Sequence, residues 1–172
     1  KAGFRVRIVN LAYHMLKSRR FNAEAYIKKL QASVFGIDLH WMMHAHGSVE
    51  VAKLVKKHHP AARVIFGGYM ASYYYEELMN YPEIDFVMRG DTTEEPLKRL
   101  LQALRQGDNL ESVPNLVWRD EGGSIHANGF SHVPDKISNI MVNQYSGVIR
   151  SVLRYRDMTS VIPFRNWLKR PV

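Results

Sequence analysis

Apolar and polar positions along the chain follow two periods. Phe4-Arg-Val-Arg-Ile-Val-Asn10 alternates apolar and basic side chains, the mark of a half-buried strand. Residues 11–22 are polar and basic and read as a loop, and Asn22 is placed to cap a short helix over residues 23–30. Ser33-Val-Phe-Gly-Ile37 is a continuous apolar run closed by Asp38, the pattern of a strand covered on both faces. Residues 39–47 read as a long loop rich in His and Met. Ser48 can cap the next helix, with Glu50 in its first turn and Lys56-Lys57-His58-His59 in its last. Val51, Ala52, Leu54 and Val55 fit a helical period there, and Pro60 stops it.

The same alternation continues. Arg63-Val-Ile-Phe66 is a buried strand running into Gly67-Gly68, and a helix is predicted over residues 72–79. Asp85-Phe-Val-Met88 is a fourth strand, ending at Arg89-Gly90-Asp91. Thr92 or Thr93 then caps a helix with Leu97, Leu100, Leu101 and Leu104 on one face, Pro96 near its first turn and Gly107 at its end. Leu116-Val-Trp118 and Ile125-His-Ala127 read as a small hairpin joined through Asp120-Glu-Gly-Gly123. Beyond Phe130 the pattern weakens; residues 142–155 can form a helix, and Phe164-Arg-Asn-Trp-Leu168 has the composition of a docking segment. Short buried strands alternating with amphipathic helices predict a parallel sheet with right-handed crossovers. Ligands of such sheets bind where strands end, which here means the loops at 10–22, 38–47, 67–72 and 89–93.

Composition narrows the classes. The 172 residues contain no cysteine, which excludes disulfides, thiolate metal sites, a cysteine nucleophile and any iron–sulfur cluster ligated by this chain. Reducing cytoplasm is the expected setting. The longest apolar runs are a few residues, so no membrane span is expected, and no basic-then-apolar leader follows Lys1. Lys and Arg number 24 against 16 acids, a net charge of +8 that favours polyanions in general. The excess lies at the two ends, in residues 1–29 and 150–172, and no groove-reading motif accompanies it. Acidic surfaces or other parts of the same polypeptide are therefore the expected partners before nucleic acid.

Three constellations carry candidate chemistry. Asp38-Leu39-His40-Trp41-Met-Met43-His44-Ala-His46-Gly47 puts three histidines and an aspartate in one loop. Imidazole and carboxylate suit zinc or iron, but His44 and His46 are two apart and no H-E-x-x-H stands elsewhere, so histidines bonded to backbone are the simpler reading. Trp41, Met42 and Met43 in a loop call for a large flat ligand or another domain to cover them. Gly67-Gly68-Tyr69, between strand and helix, lets backbone approach a bulky ligand, or simply makes a tight turn. It is neither G-x-G-x-x-G nor a Walker pattern. In Arg89-Gly-Asp91-Thr-Thr-Glu-Glu-Pro96 the two Glu serve the helix start, while Asp91 can bond a ligand hydroxyl or amide. Tyr73-Tyr74-Tyr75 packs between helix and sheet or offers a stacking platform. No G-x-S-x-G elbow or carboxylate pair is present, so no catalytic residue is assigned.

Taken together, Val34-Phe-Gly-Ile-Asp38, the helix ending in Lys56-Lys-His-His-Pro60, Arg63-Val-Ile-Phe-Gly-Gly68, and Ile84-Asp-Phe-Val-Met-Arg-Gly-Asp91 before Glu94-Glu-Pro-Leu97 resemble the N-terminal cobalamin (vitamin B12)-binding domain of radical S-adenosylmethionine (radical SAM) proteins. Val113-Pro-Asn-Leu-Val-Trp-Arg-Asp120 with Gly122-Gly123 matches that family's hairpin, and the resemblance covers about residues 1–128. It implies a three-layer Rossmann-like (flavodoxin-like) parallel sheet lacking its first strand, with residues 4–9 as the family's second, plus a small β-hairpin and a C-terminal tail. Residues 129–172 would be a linker or helical segment leading to a radical SAM barrel, whose cysteine motif, 4Fe-4S cluster and S-adenosylmethionine site are absent from this chain. The implied job is to hold cobalamin against that barrel in an enzyme, a methyltransferase or a relative, with no catalysis by this chain alone. Carried over by position, Gly67, Gly68 and Tyr69 lie beside the cobalamin nucleotide tail, Asp38, Leu39, His40 and Trp41 along it, and Gly90 and Asp91 in the G-[ED] turn. The lower-face histidine motif D-x-H-x-x-G is not reproduced, since Asp38-Leu-His40-Trp-Met-Met43 lacks its glycine; no metal ligand is assigned. The alternative is a non-catalytic basic module for interaction or nucleic-acid binding.

Overall fold

The computed structural model describes residues 3–133 and Leu153. The predicted helix over residues 142–155 and the segment 164–168 lie outside the described residues. The chain divides into two compact units, one formed by Lys1–Ala23 with Lys136–Val172, the other by Glu24–Asp135.

In the first unit, residues 4–10 are not a strand. Their alternation has no ladder partner among the described residues, and Val6 and Ile8 are exposed. Residues 11–17, read as a loop, form helix α1 (Leu11–Lys17). Its nucleus is Asn10, whose Oδ1 accepts from the Tyr13 N–H at 3.0 Å. Lys17 lies in the last turn, where the helix dipole favours a cation.

The chain enters the second unit at Glu24, within α2 (Ala23–Lys28), which is followed by β1 (Val34–Asp38). A 3₁₀ turn (Met42–His44) leads into α3 (Ala45–His58), then come β2 (Arg63–Gly67), α4 (Tyr69–Tyr73) and α5 (Tyr75–Leu78). After β3 (Phe86–Met88) and α6 (Glu94–Gln106), a 3₁₀ turn (Leu110–Ser112) precedes the hairpin β4 (Leu116–Arg119) and β5 (Ile125–Ala127). α3 starts three residues before Ser48, because the 3₁₀ turn supplies its lead-in. Ser48 is buried inside it and its Oγ donates to the Asp38 carbonyl at 3.4 Å. The single helix expected over 72–79 is two, broken at Tyr74 (φ −110°, ψ 34°).

The five strands form one sheet in the order β1-β2-β3-β4-β5. The first three run parallel, with Val34 opposite Arg63 and Ile65 opposite Phe86. β4 and β5 continue the same sheet antiparallel, with Met88 opposite Leu116. The predicted hairpin is thus an extension of the parallel core. Side chains alternate faces along a strand. Ile65, Phe86, Met88 and Leu116 share one face and pack with Leu100 and Ala103 of α6. Val64, Phe66, Val87 and Val117 point the other way and are equally closed to solvent. α3 lies against β1, and α4 against β2 and β3. At the amino-terminal ends of β2 and β3, the Asp85 carboxylate accepts from the Val64 N–H (2.7 Å), Lys56 Nζ (2.6 Å) and Arg63 (3.2 Å). That cluster locks register at the end remote from the loops of interest.

Candidate functional site

The three turns singled out in the sequence meet at the carboxyl end of the parallel strands, tied by a chain of hydrogen bonds. The Leu39 N–H donates to the Gly67 carbonyl at 2.7 Å, and the Leu39 carbonyl accepts from Met70 and Ala71 at 3.1 and 3.2 Å. Ser72 continues the chain: its Oγ donates to the Gly68 carbonyl (3.0 Å) and accepts from the Gly90 N–H (2.8 Å). The turns around Asp38, Gly67 and Gly90 are therefore one rim.

The two adjacent glycines do different work. Gly68 has φ +101°, and a Cβ there would stand 2.7 Å from Asp38 Oδ1 and 2.9 Å from the Leu39 carbonyl group. It is glycine because the β1 turn passes directly over it. A Cβ on Gly67 would meet nothing within 4 Å, so its backbone borders open space. Gly90, at φ +113°, packs its Cα side near Asn115, Thr93 and Phe130. Asn115 is fully buried at φ +63°, in the left-handed region Asn tolerates better than most residues. Its carbonyl accepts from the Arg89 N–H and its N–H donates to the Gly129 carbonyl, both at 3.0 Å. Its side chain clasps His132 on both sides, Nδ2 donating to the carbonyl (2.9 Å) and Oδ1 accepting from the N–H (3.0 Å).

Above the rim sit rings and thioethers in solvent. Trp41 is 61% exposed, Met43 84% and Tyr73 74%. His40 touches Trp41 edge-on (centroids 5.3 Å) and approaches Tyr69 (6.2 Å), which approaches Tyr73 (6.2 Å). Asp38, His40 and Asp91 are exposed, and Leu39 is buried as the turn's anchor. His44 and His46 face solvent at the start of α3, and no cluster of three metal-ligating side chains occurs among the described residues.

Beside the rim opens a cavity of about 340 Å³ lined by Tyr69, Ser72, Tyr73, Tyr75, Arg89, Gly90, Asp91 and Phe130. The Arg89 guanidinium lies 4.9 Å from the Tyr75 ring centroid and 5.8 Å from that of Phe130. Tyr75 donates to Glu76 at 3.0 Å, and that carboxylate holds the phenol above its ordinary pKa. Sequence reading missed Ser72, Arg89 and Phe130 as site residues. Arg89 stands beside the motif glycine and was within reach; Phe130 arrives from beyond the hairpin and has no local signal.

The family model for the B12 binding domain matches residues 1–100, more than half of the chain. The chain belongs to this B12-binding domain family. As the sequence resemblance implies, the solved structures it is similar to include radical SAM enzymes. The radical S-adenosylmethionine methyltransferase TsrM from Kitasatospora setae, with cobalamin and a [4Fe-4S] cluster bound, aligns with TM-score 0.60 and 18% identity over 78% of this chain and 25% of its own. The same enzyme with tryptophan substrate and a SAM analogue gives TM-score 0.60 and 19% identity over 76% and 25%. The cobalamin-dependent radical enzyme OxsB, with aqua-cobalamin and S-adenosylmethionine, gives 0.53 and 18% over 63% and 15%. At these identities the likeness establishes the fold, and this B12-binding family member spans a quarter or less of those chains. No curated protein matches it. Among the described residues no helix is long and apolar enough to cross a membrane.

Proposed function

We propose that this chain holds cobalamin along the rim and presents it to a radical SAM barrel linked to it covalently, in a cytoplasmic enzyme. Residues 1–128 are the cofactor domain in this reading, and 129–172 lead toward the barrel. Asp38, His40, Trp41, Gly67, Gly68, Tyr69, Gly90 and Asp91 would line the cofactor's site, while Leu39, expected along the tail, is buried and serves by anchoring the turn that carries its neighbours. The observation that carries the reading is the hydrogen-bonded union of the three turns under a strip of exposed Trp, Met and Tyr. A corrin is broad and largely apolar, and it fits a rim whose rings are in solvent and whose backbone at Gly67 borders open space. When bound, cobalamin supplies the methyl or radical chemistry through its cobalt. This chain's own residues bind, orient and shield, and no acid, base or nucleophile is asked of them.

The test is titration of the full chain with hydroxocobalamin, read by visible absorbance and calorimetry. A saturable one-to-one complex is expected. A chain that stays colourless after gel filtration and gives no heat overturns the proposal, and salt-sensitive binding of nucleic acid by that same chain would favour the basic-module alternative.

A further inference from the structure

Asn128-Gly129 is the one Asn-Gly pair in the sequence, and it stands where the chain leaves β5. An asparagine followed by glycine has a reaction open to it, because a residue without Cβ leaves its backbone nitrogen unobstructed. The Gly129 nitrogen attacks Asn128 Cγ and gives up its proton. The Cγ–Nδ2 bond breaks, Nδ2 departs with that proton as ammonia, and a five-membered succinimide remains. Water then opens one of its two carbonyls, leaving aspartate or isoaspartate, and nothing is oxidised or reduced. In the folded chain the Asn128 side chain is fully engaged. Its Nδ2 donates to the carbonyls of Leu110 (2.7 Å) and Val113 (2.9 Å), and its Oδ1 accepts from Trp118 Nε1 (3.3 Å). Its backbone N–H donates to the Leu116 carbonyl at 2.9 Å. Asn128 thus fastens the end of the hairpin to the 3₁₀ turn after α6.

We propose that Asn128-Gly129 is a deamidation site that the folded hairpin keeps closed, and that its reaction in the opened chain is a one-way lesion of the fold. The inference needs no cofactor and stands apart from the cobalamin reading. Cγ can swing to the Gly129 nitrogen only by giving up all three side-chain hydrogen bonds. The gate is β5, a three-residue strand at the end of the sheet with Ile125 and Ala127 exposed, an element that opens at low cost. The product no longer fits. Both partners of Nδ2 are carbonyl oxygens, which only accept, so a carboxylate sets an anionic oxygen against two lone-pair donors and strands both of them. Isoaspartate lengthens the main chain by one methylene just before Gly129, whose carbonyl accepts from the Asn115 N–H.

The full chain is incubated in mildly alkaline buffer, folded or in guanidinium chloride, and mapped by peptide mass spectrometry. Asn128 is expected to gain the mass of amide-to-acid conversion at least about tenfold faster in guanidinium chloride than in the folded chain. No gain in guanidinium chloride, or equal rates in the two conditions, overturns the proposal. Gly129→Ala tests the lesion. A Cβ there meets nothing within 4 Å and its φ is not positive, so the variant is expected to fold as wild type does, while the added methyl obstructs the attack. After the same incubation and removal of denaturant, the helical circular dichroism signal should return in full for Gly129→Ala and fall in wild type in proportion to the deamidated fraction. Equal recovery by the two proteins overturns the lesion. Asn128→Asp, made directly, should unfold at a lower denaturant midpoint or give no folded signal, and a midpoint equal to wild type overturns it as well.

Discussion

Gly68→Ala is the most direct probe of how the rim is built. At φ +101° and ψ 174° the residue occupies a region essentially reserved for glycine, and a side chain there costs about 1–3 kcal/mol. The added methyl carbon would stand 2.7 Å from Asp38 Oδ1 and 2.9 Å from both the carbonyl carbon and oxygen of Leu39. The aspartate can rotate away. The Leu39 peptide cannot, because its N–H and carbonyl are bonded to Gly67, Met70 and Ala71 and its side chain is 1% exposed. Overpacking against such a fixed group adds about 1–3 kcal/mol. The combined loss is about 2–6 kcal/mol. With a slope of about 2 kcal/mol/M, the urea midpoint should fall by about 1–3 M. Gly67→Ala is the control: its Cβ meets nothing within 4 Å, so stability should stay within about 1 kcal/mol. Urea denaturation of the full chain followed by circular dichroism measures both. A Gly68→Ala stability within about 0.5 kcal/mol of wild type refutes the steric argument.

Trp41→Ala combined with Met43→Ala removes side chains 61% and 84% exposed, so stability should hold within about 0.5 kcal/mol while hydroxocobalamin binding weakens at least about tenfold; unchanged affinity in a titration counts against the apolar strip as the corrin surface. Asp85→Ala strands the Val64 N–H and frees Lys56 and Arg63 at the opposite end of the sheet, at a cost of about 2–3 kcal/mol by urea titration, with hydroxocobalamin affinity unaltered. In the hairpin, Asp120 accepts from His126 Nε2 at 2.7 Å and from the Ser124 N–H at 2.8 Å, and the His126 bond first, the backbone bond second, hold its carboxyl below the ordinary carboxylate value. A depressed carboxylate stabilises above its unfolded pKa of about 4 and loses that contribution as pH falls through the lowered folded value. The melting-temperature gap between wild type and Asp120→Asn should therefore be present at about pH 5 and close by about pH 2; a gap that persists in acid overturns the assignment.

Much of this architecture was legible before any coordinates. The apolar runs at Val34, Val64 and Phe86 became the parallel core, and the leucines of 97–104 became the face of α6, because burial alone dictates those patterns. The alternation in 4–10 misled, since an alternating segment becomes a strand only where a neighbour supplies a ladder. α1 was hidden because its signal is one Asn10 cap on a polar stretch, easily read as a loop. Ser48 looked like a cap and is instead a buried donor to the end of β1, a tertiary contact no local window contains. The site divides the same way. Asp38, Gly67, Gly68 and Gly90 announce themselves through strand ends and glycine, whereas the cavity needs Phe130 brought back some forty residues after Arg89 by the hairpin.

Asn115 has a consequence for anything joined downstream. Because β4 runs back along β3 and β5 returns, the polypeptide emerges from the hairpin level with Met88, and Asn115 then staples it there through Gly129 and His132. The anchorage of the departing chain and the aromatic rim thus share one pole of the molecule. A residue joined after the His132 clasp therefore starts from the rim's pole and not from the Asp85 end of the sheet.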